Sequence, residues 1–425
     1  MSVIEREQRD EAARAAPYPI PAGRGRWNMT LHRRVWALTQ SDTTIGELRH
    51  ARNRKLVQAW NQPAVLTFDI DGNAEDAKAL QELATDVMAW RWDETTGQDV
   101  PMFHGIVGGT VDSLDEQSHT VSVTCTDYLG MLARRMFNQP AQLTLGPYDQ
   151  DSAVFALLSY ANDAFAATGA GTKFGAAAWL PLDTAFVNPD GSSRGNSGQQ
   201  RTLQVQGGSI IGELLDNLAH LQGGFDYDCA ASGDPGVLDQ LRVFYPAQGV
   251  TRTNPVLHYP GTIASLTRTI TSADYANYWR TIGNNQTTDA TAAQTYGEAT
   301  VAEAFNLNVG VWMQGDQDSD QYALNFLGQI AAGRLNVAGL LVPSYAITLR
   351  PGWWYRDAVK MGDTVPLVVQ SGRLNVQTTQ RVLGISYEPT DDGEEKVTLT
   401  VGRAPTTLID VLGAQAADVR ALARR

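Results

Sequence analysis

Apolar and polar residues alternate in short runs along most of the chain, and a period of two predicts half-buried strands. The pattern is clearest over residues 100–135. There Phe103, Ile106 and Val107 sit among Gly105, Gly108 and Gly109, a polar turn spans 112–118, and Val121, Val123 and Cys125 alternate with Ser122, Thr124 and Thr126. Asp127 then opens a short helical pattern through Tyr128, Leu129, Leu132 and Ala133, closed by Arg134 and Arg135. Acid at the start and base at the end both suit a helix dipole.

Before this stretch, Met29, Leu31, Val35, Ala37 and Ile45 are spaced through polar residues. Val65, Leu66, Phe68 and Ile70 make a strand bounded by the turn signals at 61–63 and 71–73. Residues 75–87 place Ala77, Leu80, Leu83, Ala84 and Val87 on one helical face, and 88–92 returns to strand.

The middle of the chain is less regular. Helices are expected over 151–165, over 210–221 (capped by Ser209 and stopped by Gly223–Gly224) and over 321–337. Strands are expected at 225–229 and 241–245, as a hairpin, and at 256–259 and 263–271. Residues 169–175 and 188–200 read as an exposed excursion. After Pro343 the pattern is β again, at 345–349, 364–369, 380–387 and 396–401, followed by a helical tail from Pro405. The order is β-rich, mixed, β-rich, tail helix: an α+β, β-rich, multidomain chain.

Length agrees, since 425 residues exceed one ordinary domain. Residues 1–26 form a charged segment and a proline-bearing arm (Pro17, Pro19, Pro21) too poor in apolar residues for a core. This start is not expected to be a signal peptide, and no run of about twenty apolar residues is present to form a membrane span. A net charge of −13 argues against nucleic acid held on a basic surface. Cys125 and Cys229 both fall in expected strands and are read as buried free thiols.

Candidate chemistry is thin. The acidic run at 316–320 has the alternation of a calcium loop, but Gln321 stands where the turn needs Gly and Leu327 where a bidentate Glu belongs. It is read as the acidic first turn of the helix that follows. The strand end and turn at 69–73 is read as a turn before a metal site. The six histidines, His32, His50, His104, His119, His220 and His258, show no zinc spacing. GAGTKFG at 169–175 is neither a phosphate loop nor a dinucleotide fingerprint. Trp353, Trp354 and Tyr355 could form a sugar platform, though an aromatic core or interface suits them better. No catalytic, cofactor-binding or metal residue is assigned, and no cofactor is implied.

Taken in order, several motifs resemble those of the baseplate hub, or tail-tip minor tail protein, of long-tailed bacteriophages of the siphovirus type. They are IGEL at 45–48 with KLV at 55–57 and QPAVLTF at 62–68, then FHGIV at 103–107 with VSVTCTDYL at 121–129 and LARR at 132–135. Next come GGFDY at 223–227, the strand at 241–245 and NYWRTIG at 277–283; MGDTV at 361–365, RVLGI at 381–385 and VTL at 397–399 close the series. The resemblance covers most of 27–405; the proline-bearing arm, the long excursion and the lack of an enzymatic or fibre domain after 405 depart from it.

The resemblance implies two tail-tube-like β-barrels, at 27–137 and 341–404, with strands from the middle available to complete the second. Between them it leaves a helical and loop insertion at 138–225 and a mixed α/β region at 226–340, with an arm at 1–26 and a C-terminal helix at 405–425. It also implies a virion protein of the tail tip, structural and not enzymatic. As a homotrimer, it would present six similar barrels to the six-fold ring of the distal tail protein. Further implied partners are the tape measure protein and tail-tip, fibre or receptor-binding proteins. Viral DNA would pass the central channel without specific binding. A tail-tip cell-wall hydrolase and a receptor- or glycan-binding module are the competing expectations.

Overall fold

The computed structural model describes residues 27–33, 43–93, 96–136, 143–150, 152–158, 182–183, 200–206, 208–220, 224–234, 239–270, 275–283, 296–300, 313–318, 327–328, 331–332, 335, 343–351, 358–390 and 394–402. The fold is β-rich α+β. Its front strands are β1 (Trp27–Arg33), β2 (Thr43–Glu47), β3 (Arg52–Ala59), β4 (Val65–Asp71), β5 (Thr85–Asp93), β6 (Gln98–Leu114) and β7 (His119–Asp127). Two one-turn helices, α1 (Glu75–Lys78) and α2 (Leu129–Leu132), interrupt and follow them.

The middle holds β8 (Leu143–Asp149), β9 (Leu182–Asp183), β10 (Gln200–Val205), helix α3 (Ile211–His220), and the hairpin β11 (Asp226–Ala230) and β12 (Asp239–Phe244). After these come β13 (Leu257–His258), β14 (Ile263–Thr269), β15 (Tyr278–Gly283), β16 (Tyr296–Thr300) and β17 (Met313–Asp318). The last strands are β18 (Ser344–Leu349), β19 (Thr364–Ser371), β20 (Leu374–Pro389) and β21 (Glu395–Gly402).

Thirteen of these strands share one sheet, ordered β14-β18-β21-β20-β3-β4-β7-β6-β5-β1-β2, with β19 beside β20 and β13 beside β19. Front and back of the chain meet where β3 pairs antiparallel with β20, Leu56 opposite Tyr387 and Ala59 opposite Gly384. The back strands run from β13 through β19, β20, β21 and β18 to β14, and β13 and β14 are themselves consecutive in the chain. The run therefore starts and ends on neighbouring strands.

A single apolar core follows this sheet across the junction. It joins Leu56, Leu66, Phe68, Val87, Val107 and Cys125 of the front to Leu257, Ile263, Ile347, Leu367, Val382 and Leu399 of the back. A second core lies in the middle and contains Tyr128, Leu129, Leu132, Val154, Phe155, Leu215, Leu218, Phe225, Tyr227 and Leu241. Tyr128 and Leu129 directly follow β7, so the end of the front sheet opens into this second core.

The glycines of the opening stretch have separate geometric duties. At Gly105 a Cβ would lie 2.2 Å from the Thr126 carbonyl oxygen, so only glycine lets β6 approach β7 there. The β6–β7 register shifts between Val107 and Gly109, which makes a bulge at Gly108.

Three expectations change. The helix read over 75–87 is only the four residues of α1; Leu83 takes a φ of 61°, and β5 has begun by Thr85. Val87 lies in the sheet core between β1 and β6, where both edges of its backbone are paired, so sheet pairing overrides the helical spacing. Residues 316–318 are not a helical first turn but part of β17, which pairs parallel with β15 from Met313 opposite Tyr278 to Asp318 opposite Gly283. The polar turn read over 112–118 is shorter than expected, because β6 continues to Leu114.

Several other elements match their patterns. The hairpin pairs Asp226 with Phe244 and Ala230 with Gln240, and α3 spans most of the helix expected at 210–221. Residues 152–158 are helical. In the 321–337 segment, Leu327, Ala331 and Leu335 are helical and buried four residues apart, as one face of a helix requires. The arm 1–26, the excursion at 166–199 apart from β9, and the segment from 403 onward lie outside the described residues.

Candidate functional site

Three polar junctions connect parts of the chain that are distant in sequence. The most deeply buried lies between the front sheet and the β11–β12 hairpin. His104 on β6 places its Nδ1 2.9 Å from Asp239 Oδ1 at the start of β12. Its Nε2 lies 3.8 Å from Asp86 Oδ2 on β5 and 3.3 Å from the Tyr128 hydroxyl. That hydroxyl donates to Asp86 Oδ2 at 2.7 Å, and the Tyr128 ring meets the imidazole edge-on. Asp239 Oδ1 also accepts the Ser232 amide at 2.9 Å.

Both carboxyl partners of His104 and the imidazole itself are closed to solvent. A histidine between carboxylates has the makings of a general base. Here no open face lies beside it for a substrate, so the group works as a tie between two bodies. Removing either partner would strand buried polar atoms, which is the costly case for such networks.

Asp127, next to Tyr128, is held by backbone. Its carboxylate oxygens accept the amides of Ala64 at 2.8 Å and Leu129 at 3.1 Å. Burial nevertheless raises the Asp127 carboxyl to about 8, with the Asp239 charge adding to the rise against those amides. Burial, with the charge of Asp86 nearby, also raises the Cys125 thiol. Burial raises the Cys229 thiol as well, aided by Asp127, Asp239 and Asp228. Both cysteines are free, and Cys229 is half-buried.

The second junction centres on Asp226, the first residue of β11. Its Oδ1 accepts the Trp60 indole N–H at 2.7 Å, just past β3. Its Oδ2 accepts the Gln248 amide and the Arg381 guanidinium of β20. Arg381 also donates to the Gln248 carbonyl at 3.0 Å and lies over the Trp60 ring. One carboxylate thus joins front sheet, middle hairpin and back sheet. Beside it, Gly249 and Gly362 cross so closely that a Cβ on Gly249 would lie 2.2 Å from the Gly362 carbonyl carbon, and both have positive φ. Asp363 then accepts the Val250 amide at 2.9 Å and the Arg252 Nε at 2.9 Å.

The third junction closes front on back. Buried Glu395, at the start of β21, accepts the Trp27 indole N–H at 2.7 Å and lies 3.6 Å from Arg91 of β5. Arg91 also covers the Tyr387 ring. The front sheet therefore curls so that β1 and β5 reach the strands of the back half.

The residues weighed for chemistry in the sequence are distributed through this frame without converging. Asp71 turns the chain by accepting the Asn73 amide at 2.9 Å. His32 lies between Thr30 and Thr44, His50 faces Asp76, and His119 lies 2.9 Å from Asp112. Among the described residues, no three His, Cys, Asp or Glu side chains are grouped as for a metal ion. Trp353, Trp354, Tyr355 and the GAGTKFG segment lie outside the described residues. The sequence reading missed the His104–Asp239 and Asp226–Arg381 pairs. Its one available signal was acidic residues at strand ends beside apolar runs.

No family model and no curated protein matches this sequence. Solved structures do match. The 43 kDa tail protein of prophage MuSo2 from Shewanella oneidensis superposes with a TM-score of 0.54 at 13% identity, covering 88% of this chain and 98% of that one. The tail protein from Neisseria meningitidis MC58 gives 0.51 at 12% identity, covering 88% and 96%. The class defined is thus a β-rich scaffold whose parts are tied by buried polar junctions. More particularly, the chain has the fold of these two tail proteins over 88% of its length.

Proposed function

We propose that this chain is the structural hub of a bacteriophage tail tip, a minor tail protein of the baseplate in a siphovirus-type virion. The observation that carries the reading is the continuous sheet built from a front and a back set of strands, joined edge to edge by β3 and β20. In this reading the chain divides at the boundaries given above, with the two strand sets serving as tail-tube-like barrels and the middle as an inserted body. The run of back strands that begins on β13 and ends on β14, consecutive in the chain, and the contact of the front set with Glu395 through Trp27 and Arg91 support it.

Three copies would present six comparable units around one axis and so mate a three-fold tip to the six-fold ring of a distal tail protein. The tape measure protein and fibre or receptor-binding proteins would contact the same hub. DNA would pass its channel without being held, as the overall charge of −13 favours.

The test is the mass of the purified chain by sedimentation and native mass spectrometry, with class averages of tail tips carrying a label on this chain. Three copies around the tail axis are expected. A monomer at all concentrations and no labelled ring would overturn the reading, and clearing of host cell walls in a zymogram would favour the hydrolase instead.

A further inference from the structure

The two apolar cores share no residue among those described. The β11–β12 hairpin packs its Tyr227 and Leu241 into the second core and is fastened to the front sheet by polar groups. The Tyr227 amide donates to Asn61 Oδ1 at 2.8 Å, and Asp239 receives His104. Bodies joined by polar contact can part without opening either core.

Within this seam two carboxyl groups face each other. Asp127 ends β7, Asp239 starts β12, and the charge of Asp239 acts on Asp127. Neither has a Lys or Arg partner among the described residues. Asp127 is bonded to the amides of Ala64, Leu129 and Gly130, and Asp239 to the Ser232 amide and His104. Asp239 Oδ2 is buried without a hydrogen-bond partner, so its charge is met on one oxygen only.

The other ionisable groups at the seam do not supply the missing cation. On the sheet side, His104 is engaged with Asp239, Tyr128 and Asp86, and Cys125 lies near Asp86. On the other side, Tyr227 faces Asp216 of α3, and Cys229 lies near Asp228. Arg242 of β12 is taken by both oxygens of Asp228, at 2.7 and 2.6 Å. An ionised Asp127 therefore stands in a dry seam against a second carboxylate, and a neutral one does not.

We propose that this seam is a proton-held latch: the hairpin is closed on the front sheet while Asp127 carries a proton and is loosened when that proton leaves, with both apolar cores intact. Burial of Asp127, with the charge of Asp239 adding to it, raises the carboxyl to about 8 from 3.8. The closed seam keeps a proton that an open, hydrated one gives up. Closure is strongest below 3.8 and weakens as pH rises through about 8. The latch needs no second copy, so it stands apart from the hub reading.

The experiment is native-state hydrogen exchange on the full chain from pH 4 to pH 9, with rates corrected for the intrinsic chemistry of the amide. The probe is the Tyr227 amide, whose bond to Asn61 spans the seam. The reference is the Val382 amide, bonded to the Asp363 carbonyl in the back strands. Tyr227 is expected to exchange through an opening that low urea does not promote. That opening should grow by up to about tenfold per pH unit between pH 4 and pH 8 and then level off. Val382 should exchange more slowly and follow urea as global unfolding does. In Asp127→Asn, which has no such proton to give up, the Tyr227 opening should lose its pH slope. A Tyr227 amide that matches Val382 in rate and urea response would overturn the latch. So would a flat pH profile in the wild type, or an unchanged slope in a folded Asp127→Asn variant. The first two readings need no substitution, so the test stands even where the variant does not fold.

Discussion

His104 and Asp239 are 135 residues apart in the chain and 2.9 Å apart in the structure. The pair is buried, and it fastens the β11–β12 hairpin to β6 with help from Asp86 and Tyr128. A hydrogen bond in that position does more than add a contact, because every group around it has given up water.

Asp239→Ala removes one partner and leaves the imidazole and the Ser232 amide unmet. Leaving a buried hydrogen-bonding group without its partner costs about 1–3 kcal/mol. Urea unfolding of the variant should show a loss in that range, and a loss no greater than that of an exposed Asp→Ala change would refute the tie.

Asp226→Ala should act on three bodies at once, freeing Trp60, Arg381 and Gln248. A loss of roughly 2–4 kcal/mol is expected from stranding the guanidinium and the indole. Trp60 is then released from the carboxylate, so its fluorescence should shift to the red in the folded variant. Double-mutant cycles with Arg381→Ala should show strong non-additivity, since both changes break the same bond; simple additivity would count against the junction.

Asp127 predicts a pH dependence. Its folded value is raised to about 8 from 3.8, so the folded chain holds a proton that the unfolded chain releases. The resulting stability is complete below 3.8 and is lost as pH rises through about 8. Asp127→Asn removes that proton, so the fall in unfolding free energy between pH 4 and pH 8 should be shallower in the variant. A single linked proton gives a slope of at most about 1.4 kcal/mol per pH unit. Identical slopes in the two proteins would show that Asp127 titrates normally.

Gly105→Ala tests the close approach of β6 to β7. The new methyl group would meet the Thr126 carbonyl at 2.2 Å, and backbone cannot step aside cheaply. A destabilisation of about 1–3 kcal/mol is expected. A thermal midpoint equal to wild type would mean that the strands open there without penalty.

Cys125 and Cys229 should both resist alkylation at pH 8 in the folded chain. Burial raises both thiols, so little thiolate forms even at half-buried Cys229. Labelling with a thiol reagent, read by mass, should rise to two groups per chain only in denaturant.

Much of the fold can be read from the residues in order. Alternation at Val121, Val123 and Cys125 places β7, and the strand patterns at 225–229 and 241–245 predict the hairpin that pairs Asp226 with Phe244. These are local matters of side-chain period and turn chemistry, which a strand carries within itself. The misreadings came where local spacing was ambiguous. Val87 fits a helical face as well as a sheet core, and only its position between β1 and β6 settles the choice.

By itself, then, the sequence determined many of the strands and several turns, and that the chain is β-rich at both ends around a mixed middle. Tertiary structure alone decided that β3 pairs with β20, that Glu395 receives Trp27, and that Asp226 receives Trp60 and Arg381. The reason is that a strand's period says which side chains point inward but not which strand lies beside it. That choice is made when distant segments bury one core together, and the polar groups caught between them must then find partners wherever the chain has brought them.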